Sequence, residues 1–321
     1  MDWLVAGDNG LLIAVRAIHF AATAVTAGNL VFRTLVAKPV WRFDPAAARS
    51  LGTQSLRLSW IGLAITLLSG AVWLVLQAVS MSGLPLAEAM TPDVLSTVLS
   101  QTQFGVVTEI RFALAIVVAA CLACRRSALT DLLALTAALG LAAAIAWTGH
   151  AGSTLGEWGD LHLAADAMHL VAASAWIGGL VPLVLLLAAG RRHPEVASAA
   201  LAREATQRFS TLGIVSVATL SATGVVNAWI LVGSFHALVV TGYGRLLIFK
   251  LVAFAVMLVF AAVNRFSLTP RLAASAGNEA RLDALHQLTR NSSIEIALGL
   301  VIFAIVGMLG TLHPAVHLVV R

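Results

Sequence analysis

Long apolar runs separated by short polar breaks dominate the 321-residue chain. The runs are continuous and do not alternate with a period of two, so they indicate membrane-spanning helices and not the strands of a barrel. Because a helix needs about 20 apolar residues to cross a bilayer, the pattern predicts about eight spans. Their predicted bounds are Leu11–Val36, Leu58–Val79, Val106–Cys124, Leu129–Thr148, Leu163–Ala188, Ser210–Gly233, Leu246–Leu268 and Ile294–Leu312. We therefore predict an all-α, polytopic membrane bundle in which residues 1–321 form a single transmembrane domain.

Composition supports a membrane protein and excludes several soluble classes. Hydrophobic residues make up 60% of the chain and charged residues 11%, whereas ordinary globular chains have about 45–50% and about 25%. A soluble domain, a disordered chain and a nucleic-acid-binding module are therefore excluded. The chain has no Gly-x-x-x-x-Gly-Lys-Ser/Thr motif, and the loops between spans are too short for an ATPase domain. We predict a protein that is not an enzyme.

Basic residues lie in alternate loops and predict the orientation of the chain. The formal net charge is +5, and the positive-inside rule makes the basic loops cytoplasmic, with both termini on the outer, periplasmic side. The long outer loop from Ser80 to Gly105 contains no Lys or Arg, and its segment Asp93–Gln101 is predicted to form an interfacial helix. The cytoplasmic loops include Lys38, Arg42, Arg125, Arg126, Arg191, Arg203, Arg271 and Arg281.

The histidines are unevenly distributed. In this topology seven of the nine lie on the outer side, and only His193 and His286 are cytoplasmic. Ionisable side chains inside a bilayer are costly and usually face the bundle interior or a water-filled path. The asymmetry therefore points to a polar site near the outer face. Outside the fifth helix, the outer histidines are His19, His150, His236, His313 and His317, of which His19, His150 and His313 are candidate metal ligands.

The fifth helix carries the densest group of such residues. At about 100° per residue, His162, Asp166, His169, Ala173 and Trp176 share one stripe. Imidazole binds copper, zinc and iron, and a nearby carboxylate either ligates the metal or orients a ring. The stripe thus predicts a metal site at the outer membrane boundary. In the alternative interpretation His162 and Asp166 are only interfacial caps of the helix N-terminus.

Arg16 and His19 form a polar stripe on the first helix. His19 is a candidate to complete a site with His169. Alternatively, it is a buried histidine that hydrogen-bonds a neighbouring helix while Arg16 pairs with Glu109 or Asp166, since buried charges are normally partnered.

The last three helices carry interior-facing polar stripes. Asn227 is predicted to be structural, and Lys250 is either an ion-pair partner or a gate. Glu295 and His313 bracket the eighth helix and are predicted to share one face of it. On the cytoplasmic side, the Cys121-x-x-Cys124 pair is a candidate exit site for Cu(I), although small apolar cysteines are common in helices.

Several segments resemble the copper resistance protein D (CopD) family of bacterial inner-membrane proteins. The stretch Asp166-Ala-Met-His169-Leu-Val-Ala-Ala-Ser-Ala-Trp176-Ile-Gly-Gly179 is similar to the family's His-Leu…Trp-x-Gly-Gly signature. The resemblance is strongest over residues 149–314 and continues through the segments Thr223-Gly224-Val-Val-Asn227, Tyr243–Lys250, Asn264–Leu272 and Ser293–Pro314.

The resemblance implies a role in copper homeostasis. Copper, as Cu(I) or Cu(II), would be taken from a periplasmic CopC-type carrier and moved across or into the inner membrane. Family-pattern positions are His169, Trp176, Asn227, Lys250 and Glu295, of which His169 is the obvious ligand. We predict copper binding through the outer histidines and transport inward. Two rivals stay open: a b-type haem electron-transfer protein with axial histidines, and a copper-delivery or sensing factor that transports nothing.

Overall fold

The predicted eight spans are confirmed. The computed structural model describes residues 10–41, 45–124, 127–192, 199–274 and 278–318, so Arg42, Arg125, Arg126 and His193 lie outside the described residues. The described residues form eight helices long and apolar enough to cross a membrane. They are α1 (Gly10–Val40), α2 (Arg49–Ser82), α3 (Gln103–Ala123), α4 (Ala128–Thr148), α5 (Glu157–Arg191), α6 (Ala200–Val232), α7 (Gly242–Ala274) and α8 (Glu279–Leu309).

Neighbouring helices run antiparallel, as the hydrogen bonds between them show. His19 near the start of α1 contacts Ser69 near the end of α2, while Asn29, later in α1, donates to the carbonyl of Ser55, early in α2. The same alternation brings the start of α5 to the end of α6. We call the end of the bundle that contains His150 and the start of α5 the histidine end, and the opposite end, which contains Arg203 and Arg281, the basic end.

Helix α1 lies in the centre of the bundle and contacts α2, α4, α5 and α8. Its closest approach is to α5, where Gly28 faces the backbone of Ser174 and Gly178 faces the backbone of Ala24. A β-carbon at either glycine would collide with main-chain atoms of the other helix. Small residues of this kind allow membrane helices to pack backbone to backbone, and here they hold α5 firmly against the bundle axis.

Several helices are longer than their apolar segments predict. α6 has 33 residues, which corresponds to about 50 Å at the usual helical rise, against a hydrocarbon core of about 30 Å. Its additional turns contain Arg203 and Arg208, and the early turns of α8 contain Arg281 and Arg290. The helices therefore continue past the apolar layer at the basic end.

Three of the long helices contain a turn of π-helix, namely Phe32–Ala37 in α1, Ser174–Gly178 in α5 and Asn264–Leu268 in α7. A π-turn inserts one extra residue into the helix and is frequent at functional sites. Here the turns in α5 and α7 contain Trp176 and Asn264.

Two local expectations have different outcomes. The helix Pro92–Gln101 confirms the one predicted around Asp93–Gln101. The prediction that Glu295 and His313 share a helical face is wrong, because α8 ends at Leu309. The chain turns at Gly310, and His313 precedes Pro314, a position that disfavours helical backbone. His313 is exposed beyond the helix end.

Candidate functional site

A cavity of about 460 Å³ lies toward the histidine end, between α1, α5, α6, α7, α8 and the segment after α4. The predicted stripe of α5 forms one wall, since His162, Asp166, His169, Ala173 and Trp176 all line the cavity. We call it the outer cavity. The other polar or charged side chains of its wall include Arg16, Thr148, His150, Asn227, Tyr243 and Lys250.

His169 is oriented by a threonine of α6. Its Nδ1 lies 2.9 Å from the Thr223 hydroxyl oxygen, and that hydroxyl donates its own hydrogen to the carbonyl of Thr219 at 2.6 Å. The Thr223 oxygen must therefore accept a hydrogen bond from Nδ1–H of His169. This fixes the tautomer and leaves the Nε2 lone pair of the neutral ring free, which is the usual state of a metal-ligating histidine.

His162 has the same arrangement with a different threonine. Its Nδ1 lies 2.8 Å from the Thr154 hydroxyl oxygen, and Thr154 donates to the carbonyl of His150 at 3.0 Å. Nδ1–H of His162 is therefore the donor, and Nε2 keeps its lone pair. The side chain is only 1% exposed.

His150 follows the end of α4, and its hydrogen bond engages Nε2, whereas those of His162 and His169 engage Nδ1. Its Nε2 lies 3.2 Å from the carbonyl oxygen of Leu309. A carbonyl only accepts, so Nε2 carries the hydrogen and Nδ1 the lone pair. Burial lowers the pKa of His150, which keeps the ring neutral. Its ring also packs against Tyr243, with centroids 6.0 Å apart.

Asp166 is bound from α6 and does not cap a helix. Asn227 donates to Asp166 Oδ1 at 3.1 Å, while the buried Oδ1 of Asn227 has no hydrogen-bond partner in the part of the chain that the structure describes. α5 begins at Glu157, and only its first four backbone N–H groups lack partners inside the helix. The interpretation of His162 and Asp166 as caps is therefore wrong.

The structure does not bring His19 to the outer cavity. His19 borders a small pocket with Thr108 and Arg111 of α3. Its Nδ1 lies 3.0 Å from the Ser69 hydroxyl, its Nε2 lies 3.5 Å from the Thr23 hydroxyl, and both nitrogens are therefore engaged. His19 matches the alternative of a buried histidine bonded to a neighbouring helix.

The ion pair expected for Arg16 is also absent. Within the described residues Arg16 pairs with neither Glu109 nor Asp166, and instead donates to the carbonyl of Gly310 at 3.0 Å. Glu109 is exposed on α3. The thiols of Cys121, in α3, and Cys124, which directly follows α3, are free, and neither residue lines either large cavity.

The candidate ligands border one cavity but do not form a preassembled metal site. Among the described residues, no three His, Cys, Asp or Glu side chains are grouped closely enough to hold a metal ion. The three imidazoles instead border a common cavity from α5 and from the segment after α4.

A second cavity, of about 360 Å³, lies toward the basic end, and we call it the inner cavity. Glu295 of α8 borders it and is 1% exposed. Asn264 of α7 donates to Glu295 Oε1 at 2.7 Å and accepts from Asn291 at 3.0 Å. Trp176 lines both cavities, so its indole stands between them.

The orienting threonines were not among the predicted site residues. Thr223 belongs to the segment Thr223–Asn227 that resembles the CopD family and to an interior-facing polar stripe of α6, but no ligand-orienting role is predicted for it, and Thr154 is not singled out. One signal was present, because Thr223 precedes Asn227 by one helical turn and both face α5. Which histidine each threonine meets depends on packing between helices, which a single sequence does not show.

Comparisons with known proteins agree with the resemblance to the copper resistance protein D family. The chain matches two family models, "Copper resistance protein D-like, N-terminal domain" over residues 7–160 and "Copper resistance protein D" over residues 203–309. It is 30% identical over 307 residues to the inner membrane protein YebZ of Escherichia coli (strain K12), a match that covers 94% of this chain and 98% of that protein. The chain belongs to the CopD family.

Two further relatives are similar to most of this CopD-family chain. Copper resistance protein D of Pseudomonas syringae pv. tomato is 32% identical over 262 residues, 78% of this chain and 81% of that protein. Copper transport protein CutJ of Bacillus subtilis (strain 168) is 30% identical over 257 residues, 78% of this chain but 45% of that protein. No solved structure matches the chain. The predicted family assignment is confirmed.

Proposed function

We propose that this CopD-family protein binds copper in the outer cavity and passes it toward the cytoplasm. One observation carries the proposal: His150, His162 and His169 each have one ring nitrogen engaged in a hydrogen bond and the other left with a lone pair. Neutral imidazoles are copper ligands, and a ring oriented by a second hydrogen bond binds more tightly. Cu(I) accepts two nitrogen donors, so it can pass between pairs of these rings.

The proposed orientation places the histidine end outside the inner membrane. It rests on the basic residues of alternate loops, since cytoplasmic loops carry the excess of Lys and Arg. The outer cavity is then accessible to a periplasmic CopC-type carrier. Names of relatives such as copper resistance protein D and copper transport protein CutJ support copper as the cargo.

The proposed path runs past Trp176 into the inner cavity. Copper leaving His169 meets this indole, and beyond it lies the carboxyl group of Glu295. A membrane potential that is negative inside favours inward movement of a monovalent cation by about 2.3 kcal/mol per 100 mV. The protein therefore works as a non-enzymatic transporter that needs no nucleotide.

Metal analysis of purified protein tests the site. Wild type, His169→Ala and the exposed, basic-end control His286→Ala are loaded with copper under reducing conditions, and copper and iron are measured per chain. We expect copper in wild type and His286→Ala, and its loss in His169→Ala. Equal copper in all three would contradict the site. Stoichiometric iron in place of copper would support the haem alternative.

A further inference from the structure

Arg16 brings an uncompensated positive charge to the wall of the outer cavity. It is 7% exposed, and its guanidinium makes one hydrogen bond, from Nη1 to the Gly310 carbonyl. Among the described residues its buried Nε has no hydrogen-bond partner. A β-carbon at Gly310 would collide with the guanidinium, so the glycine makes room for the charged group at this place.

Aromatic rings hold the guanidinium of Arg16 but do not neutralise it. Its central carbon lies 5.8 Å from the Phe20 centroid and 5.3 Å from the Trp73 centroid. The guanidinium of Arg111 approaches the same Trp73 ring at 5.2 Å and lies in α3, away from the cavity. Trp73 therefore contacts two buried cations, and neither has a carboxylate within ion-pair distance among the described residues.

The charges along the cavity wall do not balance for a cation site. Among its described residues Arg16 and Lys250 are cationic, and Asp166 is the carboxylate. Among the described residues Asp166 lies within ion-pair distance of neither cation, so the wall carries an excess of positive charge. The guanidinium of Arg16 and the ring of His150 bond to the adjacent carbonyls of Gly310 and Leu309, so the charge of Arg16 lies beside a candidate ligand. A copper cation that enters this low-dielectric space is repelled by Arg16.

We propose that the outer cavity takes copper together with a small monovalent anion of the halide class, which bridges the metal and the Arg16 guanidinium. This inference rests on the proposed copper site and specifies the form of its substrate. The guanidinium has free N–H groups for an anion, and charge-assisted hydrogen bonds are the stronger ones. The anion offsets the repulsion and completes the coordination of a copper ion that is held by histidine nitrogens.

X-ray absorption at the copper edge, with bromide as the probe anion, tests the proposal. Wild type, Arg16→Gln, Arg16→Lys and the control Arg245→Gln are loaded with Cu(I) in bromide buffer, and parallel samples are loaded in nitrate. Arg245 is exposed at the histidine end of α7 and donates to the Val239 carbonyl. Copper per chain and elution as a single folded species are measured on the same samples.

We expect one bromide neighbour of copper in wild type and in Arg245→Gln, and replacement of that neighbour by a light atom in nitrate. In Arg16→Gln the bromide occupancy should fall more than twofold, whereas Arg16→Lys, which keeps the charge, should retain most of it. A shell of nitrogen neighbours alone in copper-loaded wild type would overturn the inference and leave the histidine site intact. Equal bromide in wild type and Arg16→Gln would overturn the role of Arg16. Absence of copper from wild type would overturn the proposed site and this inference with it.

Discussion

Trp176 of α5 packs edge-on against Phe254 of α7, with ring centroids 6.0 Å apart and planes at 84°. Both rings border the outer cavity, and Trp176 also borders the inner one. The π-turn Ser174–Gly178 contains Trp176, and the glycine contacts between α1 and α5 lie beside it. Trp176 therefore stands between the two cavities, packed by Phe254 and beside the close contact of α1 and α5, and we predict that it separates them.

Removing the indole should join the two cavities. In a background without Cys121 and Cys124, Ala261→Cys places a thiol in the inner cavity. A membrane-impermeant thiol reagent added from the histidine end should label it slowly when Trp176 is present, and at least about tenfold faster in Trp176→Ala. Trp176→Phe, which keeps an aromatic ring, is the matched control and should resemble wild type. Fast labelling with Trp176 in place would show that the indole is no barrier.

The hydrogen bond from His169 to Thr223 should tune copper affinity. Thr223→Val keeps the shape of the side chain and removes the hydroxyl, so copper affinity should fall about 10–100-fold. Thr223→Ser should restore most of it. Thr219→Val is the control, since the Thr219 side chain is half-buried one turn away and the variant keeps the carbonyl that accepts from Thr223. A competition titration with a Cu(I) chelator measures all four proteins. An unchanged copper affinity in Thr223→Val would show that the Thr223 hydroxyl does not contribute to copper binding.

Burial of His150 gives the fold a pH dependence of known sign. Because burial lowers the pKa of His150 in the folded state, the unfolded chain binds more protons at acidic pH, and stability falls as the pH drops below about 6.5. The thermal midpoint of His150→Gln should therefore fall less between pH 7.5 and pH 5.5 than that of wild type. His236→Gln, at an exposed position, should follow wild type. A slope in His150→Gln as steep as in wild type would contradict this origin of the pH dependence.

The amides beside Glu295 should matter for stability and not for copper binding. Asn264→Leu leaves the buried Glu295 carboxyl without its donor, which typically costs about 1–3 kcal/mol. The thermal midpoint in detergent should fall, while the copper content at the histidine end stays that of wild type. Ser293→Ala, an exposed change on α8, the helix of Glu295, should leave the thermal midpoint and the copper content unchanged. Loss of copper in Asn264→Leu would show that the two cavities are energetically coupled.

Local patterns predicted the elements of this fold well. Continuous apolar runs sufficed for eight spans, and the helical period placed His162, Asp166 and His169 on one stripe, because both properties depend on neighbouring residues. The bounds at the basic end were too short, since apolar character ends before the helices do. The predicted end of α8 lies three residues beyond the observed one, because the apolar pattern continues through Gly310 and the turn after it.

Contacts between distant segments were beyond the reach of the sequence. His19 meets Ser69, fifty residues away, and Arg16 meets Gly310, 294 residues away. The orienting roles of Thr154 and Thr223 depend on the same kind of contact. A single sequence ranks polar residues in a membrane as candidates, but it does not determine which of them share a cavity.

Copper uptake into sealed right-side-out membrane vesicles tests the central claim most directly. Vesicles with wild type, His169→Ala or His286→Ala receive Cu(I) outside, with an imposed potential that is negative inside, and copper in the lumen is measured over time. The account predicts saturable uptake that increases with the potential in wild type and His286→Ala, and uptake at the level of empty vesicles in His169→Ala. Wild-type protein that binds copper yet moves none into the lumen would contradict transport and favour a delivery or sensing role.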